Sequence, residues 1–366
     1  MKITTVLGDM EPETLGLTSF HEHVLCHMDL LKIAQIPDSM LTMIPENMAF
    51  LRETGSVSSP ECRLEDDVDF AAAELDAFRR YVNGQTICEA SAIGMRGDIR
   101  KLRDASKRSG VNIVCCTGLY LLHTQPSEMQ IIEENALVEV FSKEITEGID
   151  DTGIRPGFVK CALGTLNNEK NALHERELLS LKACSRAAAK HGLSLHVHTG
   201  GPLTPEVILH AVDTVLECGL DPDKLVMLHM DAWLRPSKDL MRYVSGELSG
   251  RTISLDLPMA MLEKGCNIGF DSWGSPFASV LPDDYDRAKG LLALIHAGYE
   301  DHITLGHDVI NKAFGRTAGY YGYTRFASFL PQIFNPMGIN DATLQKLMFH
   351  NPARILMHGY IPYHGD

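Results

Sequence analysis

The sequence contains no CxxC pair, no stretch approaching the about 20 apolar residues of a spanning helix, no long Lys/Arg stripe and no Pro/Gly/Ser-rich linker. Each absence excludes a class of protein. Without CxxC, the nine cysteines, which stand singly or as the neighbours Cys115 and Cys116, build neither a zinc ribbon nor a redox motif. They read as buried free thiols of a reducing compartment. Without a long apolar run there is no candidate for a membrane span. The opening MKITTVLGDMEPETLG lacks the basic start and apolar core of a secretory signal, so a cytoplasmic location is expected. Lys and Arg number 33 against 48 Asp and Glu, a formal charge of −15, which disfavours nucleic acid and anionic membranes and leaves a small-molecule substrate. With no composition break or low-complexity tract, residues 1–366 are expected to form one domain.

What the chain does have is a repeated pattern. Hydrophobic residues make up 45% and charged residues 22%, ordinary for a protein with a large core. Eight β-rich runs recur, each followed by a segment of helical periodicity: LGLTSFHEH, QTICEAS, VNIVCCTGLY, RPGFVKCA, LSLHVHTG, KLVMLHMD, RTISLDLP and HITLGHD. The intervening 175–192 and 204–219 carry apolar residues at three- and four-residue spacing with a glycine near the end, as helices do. Strand then helix, eight times over, predicts an α/β protein folded as one (β/α)8 TIM barrel, with its active site at the carboxyl ends of the strands. An open doubly wound sheet is the alternative. The longest connection, from about residue 28 to 67, is an insertion after the first strand, expected to be a lid, a packing element or an oligomer contact.

Metal-capable side chains fall at the predicted strand ends. His21 and His23 are two apart, so an extended strand points both to one face, the barrel interior. His198 closes the fifth run, His229 the sixth and Asp308 the eighth. Five such groups at the ends of four strands suit a divalent cation held through neutral imidazoles and a carboxylate. His196 faces inward one layer deeper and reads as a core residue or one that supports the ligands from behind, and His307 points away from its neighbour Asp308 and reads as packing. Lys160 ends the fourth run in GFVKCALG, as either a snorkelling cation or a buried amine whose charged form is disfavoured. A neutral amine can add carbon dioxide to give a metal-bridging carbamate or form a Schiff base, as in barrel aldolases. The company of histidines and an aspartate favours the carbamate.

These residues resemble the phosphotriesterase family of the amidohydrolase superfamily, including its lactonase-like branch. TVLGDMEPETLGLTSFHEHVLCHMD is similar to that family's opening, and GFVKCALGT, LHVHTGGP, LHMD, LGHDVINK and NPARIL follow in the family's order over nearly the whole chain. The resemblance implies two divalent metals, zinc first, with manganese, cobalt or iron as alternatives. His21, His23 and Asp308 would hold one metal and His198 and His229 the other, bridged by N6-carboxylated Lys160. It implies hydrolysis by a bridging hydroxide, with Asp308 accepting the proton, assisted by Asp231, and Tyr120 lining the substrate site. One departure is that many members place a basic residue after the aspartate ending the seventh strand, where SLDLP has Leu257. The substrate classes implied are lactones, phosphorylated sugar lactones included, and carboxylic esters, with phosphotriesters as the alternative. Arg235, Lys312, Arg316 and Arg325 are candidates to hold a phosphate. A barrel that binds without catalysis is a further reading, and family members are often homodimers.

Overall fold

Eight short, almost wholly buried strands form a ring: β1 Leu17–Glu22, β2 Gly84–Glu89, β3 Asn112–Val114 continued as Cys116–Leu119, β4 Phe158–Leu163, β5 Leu195–Thr199, β6 Leu225–Met227, β7 Asn267–Phe270 and β8 Ile303–Leu305. The structure is a computed structural model and describes every residue except 28–35, 57, 168, 235–236, 249, 251, 278–281, 360 and 362–366. β1, β2 and the first part of β3 pair in parallel. From the second part of β3, a parallel ladder continues through β4, β5, β6 and β7 to β8. Between β8 and β1 the Asp308 amide donates to the His21 carbonyl at 3.2 Å, joining the last strand end to the first. The fold is the TIM barrel.

Strands buried on both faces need helices outside, and the sequence supplies them. They are α1 Val68–Val82, α2 Ile99–Ser109, α3 Glu134–Glu147, α4 Glu175–His191, α5 Pro205–Glu217, α6 Asp256–Glu263, α7 Asp284–His296, α8 Arg325–Phe334 and α9 Asn351–Leu356. Asp67, Asp98, Thr204 and Asp283 cap the starts of α1, α2, α5 and α7 by accepting from first-turn amides. Gly110 and Gly192 end α2 and α4 in the left-handed conformation. Apolar residues from these helices and the outer strand faces form the main core, while Phe20, Cys88, Val114, Phe158 and Val226 fill a separate inner cluster.

The seventh run differs from expectation. Its described part, 252–258, is not a strand: Asp256, Leu257 and Pro258 open α6, where an acidic first turn and an early proline suit a helix start. The seventh strand is the shorter NIGF, 267–270, and Asp271 follows it. The described part of the 28–67 connection is a packing element. Leu51 and Cys62 are buried against the segment after β8, and Arg52 donates to the carbonyls of Ala313 and Ala318.

An antiparallel hairpin, Ile3–Thr5 with Gly8–Met10, lies under the barrel, and α9 packs beside it. Lys224 holds the end of α9. Its Nζ donates to the carbonyls of Arg354, Ile355 and Met357 at 3.2, 2.8 and 2.6 Å, groups a helix leaves without internal partners. Lys224→Met, which keeps the stem and removes the donor, is expected to lower the unfolding free energy by roughly 2 kcal/mol. Chemical denaturation checks this, and an unchanged midpoint contradicts it.

Candidate metal centre

The carboxyl ends of β1, β5, β6 and β8, with Lys160 from the middle of β4, bring His21, His23, Lys160, His198, His229 and Asp308 into one cluster. His21 Nε2 lies 3.3 Å from Lys160 Nζ and 3.6 Å from Asp308 Oδ1, and His23 Nε2 lies 3.3 Å from the same oxygen. On the other side of His21, His229 Nε2 faces His198 Nδ1 at 2.8 Å. Tyr120 sets its ring edge-on to His198, with centroids 5.5 Å apart. Asp308 is the most open of the acidic groups, with 26% of its side chain exposed, and it borders a cavity of about 40 Å3 beside Trp273, Phe277 and Tyr321.

A carboxylate that the sequence reading missed organises the cluster. Asp271 accepts from His21 Nδ1 and His229 Nδ1, both at 2.8 Å, and from the His229 amide at 3.0 Å. The Nδ1 protons are thereby fixed, and each Nε2 presents its lone pair inward. His23 is set the same way. Its Nδ1 donates to Ser91 Oγ at 2.8 Å, and that hydroxyl donates to Glu89 at 2.5 Å. Fixing one ring nitrogen with an outer partner is how metal-binding histidines are oriented. Asp271 lies within reach of its two histidines and could itself be read as a ligand. Its oxygens are already taken by N–H donors, which makes it the orienting group.

Glu22, between the two histidines in HEH, was also missed. It accepts from His307 Nδ1 at 2.6 Å and from the amides of His307 and Val309 at 2.9 and 3.2 Å. These amides flank Asp308, whose own amide donates to His21. Asp308 therefore stays in a left-handed backbone, φ +54°, and His229 does so at φ +59°. Such strain in residues other than glycine persists only where surrounding bonds hold it. His307 thus packs outside the cluster, against Phe326, and His196 stacks between Phe20 and Phe158 in the core, as expected for both.

Burial and charge set the protonation. Burial, with the Lys160 charge, pushes His21 down to about 4, and burial with the His229 charge holds His198 well below the usual imidazole value. Burial alone would lower His229 too, but the charge and hydrogen bond of Asp271 raise it. Burial opposes ionisation of Asp308, yet the surrounding histidines hold it far below the usual carboxylate range. Burial pushes Lys160 down to about 8. The donor set suits cations: His229 Nε2 and His198 Nδ1 turn toward each other at 2.8 Å, two imidazole nitrogens placed to ligate one ion.

The remaining expected residues are less directly placed. Asp231 is buried, accepting from Arg287 Nε at 2.7 Å and the Ser272 amide at 3.0 Å. The residue after the seventh-strand aspartate is Ser272, not Leu257, which lies buried on α6. A basic group does reach Asp231, but it comes from α7. Of the phosphate candidates, Lys312 pairs with Asp67 and Arg325 with Asp284, both at 2.6 Å, while Arg316 lies over the Tyr81 ring. Arg235 lies outside the described residues.

A polar cluster of paired histidines and a carboxylate at the catalytic face defines an enzyme-type TIM barrel. The family model for the phosphotriesterase family matches residues 1–356, and the chain belongs to that family; it is a hydrolase. Among curated relatives, the N-acetyltaurine hydrolases of Salmo salar and Homo sapiens are 27% and 25% identical, each alignment covering 97% of both chains. Among solved structures, a resiniferatoxin-binding protein from Rhodobacter sphaeroides is 26% identical with a TM-score of 0.81, covering 99% of this chain and 96% of that one. A lactonase from Listeria monocytogenes is 21% identical with a TM-score of 0.74, covering 98% and 100%.

Asp271→Asn removes the charge and turns a donor toward one imidazole. Metal affinity, measured by competition with a chelator, is expected to fall roughly 10- to 100-fold. Unchanged affinity would remove Asp271 from its orienting role.

Proposed function

We propose that this protein is a binuclear metal-dependent hydrolase that cleaves the acyl bond of a small lactone or carboxylic ester. The observation that carries the reading is that His21 Nε2 lies beside both Lys160 Nζ and Asp308, His23 Nε2 lies beside Asp308, and His229 Nε2 faces His198 Nδ1 in the same buried cluster. His21, His23 and Asp308 are assigned one cation and His198 and His229 the other, zinc first, with manganese, cobalt or iron as alternatives. Bound there, the cations would supply a hydroxide at neutral pH and polarise the scissile group.

The chain's own residues do the rest. Asp308, ionised at any working pH and partly open to solvent, takes the proton released as water attacks and returns it to the leaving group. Asp231 assists from behind by holding Ser272 and Arg287 in place. Tyr120, whose burial raises its pKa, stays protonated and lines the substrate beside His198. Lys160 is assigned as N6-carboxylated: its neutral amine adds carbon dioxide, forming an N–C bond and releasing one proton, and the product carboxylate joins the two halves of the cluster.

A second reading, hydrolysis of an N-acyl amide, is favoured by the curated relatives, which are named N-acetyltaurine hydrolases. The partners of Lys312 and Arg325 give less support to a phosphorylated substrate. Phosphotriester cleavage is the alternative activity of the same site. A cytoplasmic location suits cysteines that all stand unpaired.

The test compares kcat/KM on a panel of a γ-lactone, an aryl ester, an N-acetyl amide and a phosphotriester, with metal content for wild type and Lys160→Ala. About two metals per chain and preference for an acyl substrate are expected, with both metals and activity lost in the variant. A variant that keeps both metals and full activity contradicts the bridging role. Carboxylation also has a pH signature. Only the free amine reacts, and with its pKa near 8 its population rises about tenfold from pH 7 to 9. At fixed dissolved carbon dioxide, metal-dependent reactivation of the apoprotein is expected to accelerate by that factor, and a flat profile contradicts it.

A further inference from the structure

The larger cavity lies on the opposite face of the barrel. It measures about 450 Å3 and is walled by the hairpin residues 4–8, by 152–155 before β4, and by Arg103 and Lys107 of α2. This face of a TIM barrel ordinarily serves stability, and the proposed chemistry uses none of it.

The charges along α2 sort in a telling way. The helix carries five cations in a chain of net charge −15. Arg100 donates to the Asp150 carbonyl at 3.3 Å, Lys101 pairs with Asp66 at 3.5 Å and Arg108 with Asp69 at 2.7 Å. Among the described residues, Arg103 and Lys107 have no hydrogen bond or ion pair, and these two line the cavity. They stand four residues apart on one helix face, where like charges repel. Arg155, also in the cavity wall, is satisfied by both oxygens of Asp9 at 3.1 Å and by the Ile361 carbonyl. The cavity therefore has two unmatched cations along one wall and a volume within the range of small-molecule sites.

We propose that this cavity binds a small organic dianion, with one acidic group held by the Arg103 guanidinium and the other by the Lys107 ammonium. The guanidinium fork suits a carboxylate, phosphate or sulfonate group, and the lysine supplies a mobile point charge one helical turn away. The site is independent of the hydrolytic cluster and of the reading given to it.

Ethane-1,2-disulfonate is a suitable probe because it is a dianion at every working pH and a weak metal ligand. Titration calorimetry on the metal-loaded enzyme is expected to give saturable binding of one probe per chain. Arg103→Gln with Lys107→Gln is expected to weaken it at least tenfold. Lys101→Gln with Arg108→Gln removes the same charge from the same helix, but from partnered residues, and is expected to leave affinity within twofold. Thermal unfolding guards against a folding defect: the probe should raise the Tm of wild type and of the control, but not that of the Arg103/Lys107 variant. Absence of saturable binding to wild type overturns the proposal. Equal loss in both double variants also does, because the effect would then be the general field of the helix.

Discussion

The centre depends on one buried carboxylate with two imidazoles bonded to it. Asp271 follows β7, and its oxygens take the Nδ1 protons of His21 on β1 and His229 after β6, so three strand ends are tied by one side chain. Burial would keep this carboxyl neutral, but the facing histidines hold it well below the usual range. Removing the imidazoles would leave the carboxylate charged and unpaired in a water-poor interior, which is costly. The backbone is shaped for this contact. A Cβ on Gly306 would lie 2.9 Å from the His21 backbone, and one on Gly269 would lie 2.7 Å from an Asp271 oxygen. Glycine at both positions lets the strands approach closely enough for the carboxylate to reach both rings.

Glu22 does for the backbone what Asp271 does for the rings. Its side chain faces away from those of His21 and His23 and collects the amides on either side of Asp308. The strained turn that presents the Asp308 carboxylate is thus built from the same HEH segment that presents the histidines opposite it. Position and protonation follow together, because rings fixed at Nδ1 offer lone pairs at Nε2 and the carboxylate they surround stays ionised. Lys160 reaches this group from β4 and is buried where its amine is readily neutral.

Much of this was legible in the sequence, for a physical reason. In a parallel barrel the chemistry collects at strand ends, so His198, His229 and Asp308 announce themselves by closing apolar runs, and His21 and His23 by their two-residue spacing. The seventh strand was hidden because NIGF is short and contains glycine, whereas RTISLDLP imitates a strand with β-branched residues that in fact lead into α6. That displacement concealed Asp271, although it follows NIGF as Asp308 follows the ITLGH run. Glu22 and Ser91 carried no signal of their own, since an outer hydrogen bond to a histidine depends on neighbours 68 and 285 residues distant. The partners of Lys312 and Arg325 were likewise invisible without the fold.

The most direct test of this account is a high-resolution crystal structure of the protein grown with zinc, with anomalous data collected at the zinc edge. Two anomalous peaks are expected, one at His21 Nε2, His23 Nε2 and Asp308 and the other at His198 Nδ1 and His229 Nε2. Density for a carboxyl group on Lys160 should lie between them, and Asp271 should remain bonded to both Nδ1 atoms. A single ion coordinated by Asp271, or an unmodified Lys160 amine between two bound ions, would contradict it.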